Sequence, residues 1–221
     1  MERAFTLYDA SIGKKALVAI TGLMLFGFVI AHMLGNLQVF LGPEALNAYA
    51  AGLKKLPGLV WAMRTMLLAA VLIHIVVSMT LVKQAAAARA AGYRLKQSLV
   101  TSYAARSMRW TGPLLAAFIV YHLAHFTWPG VAMGAYTHDY HDVYSNVVNG
   151  FRIPWVTAVY VVAQALLGLH LYHGAWSLFQ TLGLNHPRYN RWREAIPRTI
   201  ALAVVAGNVA MPLAVLTGVV S

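Results

Sequence analysis

Histidines 32, 74, 122 and 170 each fall in a different long apolar stretch of this 221-residue chain. An imidazole in hydrocarbon has no water for its ring nitrogens, so it needs a protein partner, a water-filled cavity or a metal. One such residue, taken alone, is more often a hydrogen-bonded packing residue or part of a proton path. Four of them, on four successive stretches, point instead to two metal centres with two histidine ligands each. Thiolate ligands are excluded because the chain has no cysteine. The same absence excludes structural disulfides and the covalent attachment of c-type haem.

The elements that must carry these ligands are membrane spans. The chain is 60% hydrophobic and only 10% charged, with a mean hydropathy of +0.63. Soluble domains carry more than twice that charged fraction. Five stretches are long enough to cross roughly 30 Å of hydrocarbon as helices: 16–41, 65–82, 110–131, 153–182 and 200–220. Lys14 and Lys15 precede the first as they would a signal peptide. Its apolar run is too long for that reading, and no small-residue cleavage site follows. The expectation is one all-α integral membrane domain over residues 1–221, with five transmembrane helices of which the first four form the ligand-bearing bundle.

Punctuation along the chain agrees with these spans. Residues 1–11 read as an interfacial lead-in with Phe5, Leu7 and Tyr8 as anchors. Gly42-Pro43-Glu44 and Pro57-Gly58 are turn and helix-start signals, and the alanine-rich run 85–91 extends span two as a helix. Pro129-Gly130 ends span three, Pro154 opens span four, and His186-Pro187 breaks the chain before span five.

A net charge of +11 would suit nucleic acid, but its distribution argues for a membrane. Arg3, Lys14 and Lys15 precede span one. Lys83, Arg89, Arg94, Lys96, Arg106 and Arg109 lie between spans two and three, and Arg188, Arg191, Arg193 and Arg198 between spans four and five. The alternate loops hold only Lys54, Lys55, Arg64 and Arg152, together with Glu44, Asp139 and Asp142. This positive-inside pattern puts the N-terminus in the cytoplasm. The basic faces suit anionic lipid or an acidic cytoplasmic partner, with no nucleic acid required.

That topology converts position into depth at ~1.5 Å per residue. His32 then lies about 24 Å and His122 about 18 Å from the cytoplasmic edge, while His74 lies roughly 14 Å from it. His170, late in span four, is also on the inner side. The odd spans supply an outer pair, His32 with His122, and the even spans an inner pair, His74 with His170. Two neutral imidazoles facing across a helix bundle suit bis-histidine haem iron, which has no vacant position and passes electrons. Propionates would need cations: Arg64 outside, and Lys14, Lys15, Arg106 and Arg109 inside. Depth does not separate His122 from His125 or His170 from His173, each one turn apart. His173 could meet an inner propionate or a quinone oxygen. His138 and His141, flanked by Asp139 and Asp142, have metal-like spacing, but a solvated outer loop is the better reading.

Ser11-Ile-Gly-Lys-Lys15, Thr21-Gly22, Ala31-His-Met-Leu-Gly-Asn36, Tyr121-His-Leu123, His170-Leu-Tyr-His-Gly-Ala-Trp-Ser177 and Gln180-Thr-Leu-Gly183 together resemble the cytochrome b membrane anchor of the succinate dehydrogenase/fumarate reductase family. The likeness is to its single-subunit, five-span, diheme type and covers nearly the whole chain. It implies two b haems, with His122 and His170 chosen over their neighbours and with the pairing that depth gives. It also implies a cytoplasmic FAD flavoprotein subunit and an iron–sulfur subunit as partners, compatible with a higher oligomer of the complex. Electrons would pass between those subunits and membrane quinone, menaquinone in preference to ubiquinone, in a bacterial cytoplasmic membrane. Ser11 and Lys14 on the inner side, or the His138–Asp142 loop on the outer side, are equal candidates for the quinone site. Some relatives carry a glutamate two residues before the fourth ligand, where this chain has Gly168; Glu44 does not match a second glutamate used for quinol deprotonation. Competing readings are the diheme cytochrome of a formate dehydrogenase or hydrogenase, and a haem-free proton-coupled transporter.

Overall fold

The computed structural model describes residues 11–88, 103–128, 136–184 and 186–221, and every regular element among them is helical. In chain order these are α1 (Ser11–Asn36), a 3₁₀ turn (Leu37–Leu41), α2 (Pro43–Lys54), α3 (Pro57–Ala87), α4 (Tyr103–Phe126), α5 (Val143–Phe151), α6 (Pro154–Thr181), a second 3₁₀ turn (Pro187–Tyr189) and α7 (Asn190–Leu216). Three helices begin on proline, where the missing N–H is no loss and the fixed φ is already helical. Gly42, at φ 96°, reverses the chain between the first 3₁₀ turn and α2 in a conformation open to glycine.

Among the described residues, four segments are long and apolar enough to cross a membrane: Ser11–Leu41, Pro57–Ala87, Pro154–Thr181 and Asn190–Leu216. The expected third span coincides with α4, which at 24 residues is about 36 Å long but is not among these four. Arg106, Arg109, Thr111, His122 and His125 dilute its apolar character. Its helix ends at Phe126 rather than at 131, with Thr127 and Trp128 closing the last turn onto the Leu123 carbonyl. Two other helices outrun their expected spans, since α3 covers 31 residues and α7 starts at Asn190 instead of 200. Apolar pattern marks the lipid-facing length only, and helix continues past it into the polar boundary. The lead-in anchors, the Pro129-Gly130 stop and the basic stretch from Arg89 to Lys96 lie outside the described residues, as does the alanine-rich run beyond Ala88.

Helix α6 packs against α4, α7 and α1, while α1 packs in turn against α3 and α7. The fifth expected span is therefore joined to the other helices and not appended to them. Its approach is set by small residues: a Cβ on Gly168 of α6 would fall 2.6 Å from Val205, and one on Gly207 of α7 2.5 Å from the Met33 sulfur. Small residues let membrane helices come close where no hydrophobic force drives them together. The Gly168 contact also gives a physical reason against an acidic side chain there. Met33, Leu171, Ala201 and Val204 form the buried seam of α1, α6 and α7. On α3, Leu68, Leu72, Val76 and Met79 are exposed along one helical stripe, the face presented to lipid.

One end of the bundle is capped by α2, α5 and residues 136–142. Val39, Leu46, Val148, Phe151, Val156, Tyr160, Met211 and Val215 pack beneath this cap. Asp142 holds it by accepting from the Ser145 amide (3.0 Å), the Ser145 hydroxyl (2.6 Å) and the Asn47 amide (3.0 Å). Asn47 in turn accepts from the Tyr144 amide, and Lys54 donates to the Tyr140 carbonyl while covering its ring at 3.9 Å. The Ser145 hydroxyl and amide and the Asn47 amide keep the Asp142 carboxyl below its ordinary 3.8. A depressed carboxyl contributes stability above its unfolded pKa and loses it as pH falls through the lower, folded value. Asp142→Ala should therefore weaken the cap by about 1 kcal/mol at neutral pH. Hydrogen exchange of α5 should show faster opening in the variant, and in the wild type acidified below 3.8; equal protection throughout would refute the role.

Candidate functional site

Helix geometry brings the four histidines together in two pairs. His32 of α1 and His122 of α4 have ring centroids 5.7 Å apart with planes at 84°. His74 of α3 and His170 of α6 are 6.2 Å apart at 57°. Their neighbours face elsewhere: the His125 ring packs on Phe126 at 4.0 Å and the His173 ring on Trp176 at 6.2 Å. Geometry thus separates the neighbours that depth left tied.

The pairs occupy two levels, as two helices measure independently. Thr21, which touches His74, is eleven residues before His32 on α1, or about 16 Å. Tyr160, which touches His122, is ten residues before His170 on α6, or about 15 Å. The His32–His122 level lies under the α2/α5 cap, and the other lies towards the end that carries Lys14, Arg106, Arg193 and Arg198.

Each pair has partners on the ring nitrogens. Thr21 donates its hydroxyl to the Leu17 carbonyl (2.7 Å), so its oxygen is left to accept from His74 Nδ1 (3.2 Å). That bond puts the proton on Nδ1 and leaves Nε2 as the ligating nitrogen. Gly22 lets the ring sit there, since a Cβ would approach His74 Cε1 to 3.3 Å. His122 Nδ1 lies 3.1 Å from the Tyr160 hydroxyl, which likewise frees Nε2. His170 Nδ1 is buried without a hydrogen-bond partner. At His32 the Asn36 amide donates to Nε2 (3.1 Å), a contact that metal binding through this nitrogen would displace.

Two imidazoles on opposite sides of one metal, with bonds of ~2 Å, have ring centres roughly 6 Å apart. Both observed separations match. The rings are also accessible, His32 being exposed and the other three half-buried, whereas His125 is buried. Among the described residues no group of three or more His, Cys, Asp or Glu could hold a metal ion. The donors gathered at each level are two imidazoles, a set that fits a metal whose other positions a macrocycle fills.

The remaining expected residues are more scattered. Arg64 is exposed and stacks on Trp61 at 5.2 Å; ten residues before His74, it lies about 15 Å away along α3, at the level of the capped pair. Ser11 opens α1 in an exposed position, and Lys14 one turn later is buried. His173 belongs to a stack with Trp176 and the Arg193 guanidinium, which lies 5.6 Å from the indole. In the loop before α5, His138 Nε2 donates to the Phe126 carbonyl, and Asp139 accepts from the His141 and Asp142 amides. Those amides hold the Asp139 carboxyl below its ordinary value. The loop acids and His138 are therefore engaged in shaping the cap.

Tyr160 was not singled out from sequence; the only signal was a phenol in an apolar span, which needs a partner for its hydroxyl. Compared with protein-family models, curated proteins and solved structures, the chain matches none. Thr21→Val tests the ring-nitrogen geometry without reference to any ligand. It should remove the side-chain partner of the His74 N–H, leaving only the Val18 backbone, and cost about 1 kcal/mol, read as a lower thermal unfolding temperature in detergent; an unchanged temperature would contradict the contact.

Proposed function

We propose that this chain is the cytochrome b membrane-anchor subunit of a succinate:quinone oxidoreductase, with two b haems held inside a five-span bundle. The observation that carries the reading is the pair of two-imidazole sites, 5.7 and 6.2 Å between ring centres, at two levels about 15 Å apart. In this reading α4 crosses the membrane as the third of five spans, tolerated despite its polarity because its histidine face is turned to α1 and α6. The positive-inside rule puts the N-terminus in the cytoplasm of a bacterial cell, so the capped end is outer.

His32 and His122 would hold the outer haem, and His74 and His170 the inner one. A bis-histidine haem supplies one-electron transfer with no vacant position for oxygen. The chain's own work is to fix those rings, exclude water and place cations near each face. Arg64 serves the outer propionates by level. Lys14 and the His173–Trp176–Arg193 stack are the inner candidates for propionate or quinone, with Ser11 beside Lys14 one turn away. Menaquinone is the favoured acceptor or donor. An FAD flavoprotein and an iron–sulfur subunit would dock on the basic inner face, so this chain never meets the dicarboxylate.

Dithionite reduction of the purified protein should give a b-type absorption band. His32→Ala and His122→Ala should each remove the same component of it, and His74→Ala and His170→Ala each the other. Absence of the band would favour a haem-free transporter, and loss of one component by both His32→Ala and His74→Ala would overturn the pairing. A flavoprotein copurifying with covalent or tight FAD is expected; a formate dehydrogenase or hydrogenase in its place would move the chain to another diheme cytochrome.

A further inference from the structure

One hydroxyl serves two histidines. The Tyr160 oxygen lies 3.1 Å from His122 Nδ1 and 2.9 Å from His125 Nδ1. Tyr160 is only 6% exposed, and its ring is wedged edge-on between Phe118 (5.0 Å) and Phe151 (4.8 Å). A phenol has one proton to give, so it donates to one imidazole and accepts from the other. If His122 binds iron through Nε2, its proton is on Nδ1 and must go to the Tyr160 oxygen. The Tyr160 proton then goes to His125 Nδ1, and the remaining His125 proton sits on Nε2.

That last nitrogen is buried without a hydrogen-bond partner. It abuts Gly150 of α5, where a Cβ would come within 2.9 Å of it, so no ligand can enter beside it. His125 is thereby removed from iron ligation and fixed as the terminal acceptor of a chain that begins at His122. Hydrogen bonds in series strengthen one another, so a phenol that donates onward is a better acceptor. A stronger acceptor at Nδ1–H makes the imidazole a more basic ligand. The inner site has a different and shorter series, from His74 through the Thr21 hydroxyl to the Leu17 carbonyl, which Tyr160 and His125 do not touch, and His170 Nδ1 has no partner.

Resting on the diheme reading above, we propose that Tyr160 and His125 are positioning residues for His122, and that their hydrogen-bond chain lowers the reduction potential of the outer haem specifically. More electron donation from the axial ligand favours ferric iron, which sets the sign. The experiment is a redox titration of the two b centres in the intact complex, followed by visible absorption, for wild type, Tyr160→Phe and His125→Leu. Tyr160→Phe preserves ring volume and should raise the outer potential while leaving the inner one in place. His125→Leu should retain both haems and raise the outer potential less, because the phenol keeps its bond to His122. It provides the test if the phenylalanine variant does not assemble. Unchanged potentials in both variants, or equal shifts in both centres, would overturn the inference alone. Loss of the outer haem in His125→Leu with retention in His122→Ala would overturn it by exchanging the ligand. A wild-type preparation without b haem would instead remove the diheme reading and this inference together.

Discussion

The organisation of this molecule depends on the cost of an unpartnered imidazole nitrogen inside a hydrocarbon layer. Each neutral ring presents one donor and one acceptor, and no solvent is present to meet either. Most residues of a membrane helix can face lipid with no penalty, but these rings cannot. They turn towards one another and towards Thr21, Asn36 and Tyr160. For α1, α3 and α4 that requirement bears on rotation about the helix axis, since lipid competes equally for apolar faces; on α6 the His170 Nδ1 has no such partner. The two rings of each pair stand 5.7 and 6.2 Å apart between centres.

Close approach of the helices makes this gap possible. Gly168 and Gly207 bring α7 against α6 and α1, and Gly22 lets the His74 ring lie on α1. At one end of the bundle, the α2/α5 cap ties the ends of the long helices through the hydrogen bonds among Asn47, Asp142 and Ser145. The site is thus held from two sides: small residues within the membrane, polar capping beyond it. Gly150 connects the two, as the cap helix closes over His125 and through Tyr160 reaches His122.

Much of this was legible in the sequence, for a definite reason. Apolar runs and loop charges are one-dimensional signals, so the helical class, the helix starts at Pro43, Pro57 and Pro154 and the grouping of His32 with His122 could all be read from position. Rise per residue gave level, and level was enough to sort the four histidines into the two pairs whose rings lie near each other. Rotation about the axis was not readable, which is why His122 and His125 stayed tied on depth alone; the facing of His122 to His32 separates them in three dimensions. Span ends were misjudged where helix continues into polar surroundings, as at Pro57 and Asn190, or stops early, as at Phe126. Tyr160 and the α5 cap stayed hidden because each depends on contacts between distant segments, with no local pattern to mark them.

The central proposal is that each of the two two-imidazole sites holds one haem. Chemical determination of haem b per polypeptide in the purified wild-type protein tests it most directly. Two haems per chain is the predicted result. A stoichiometry of one, or none, would contradict it.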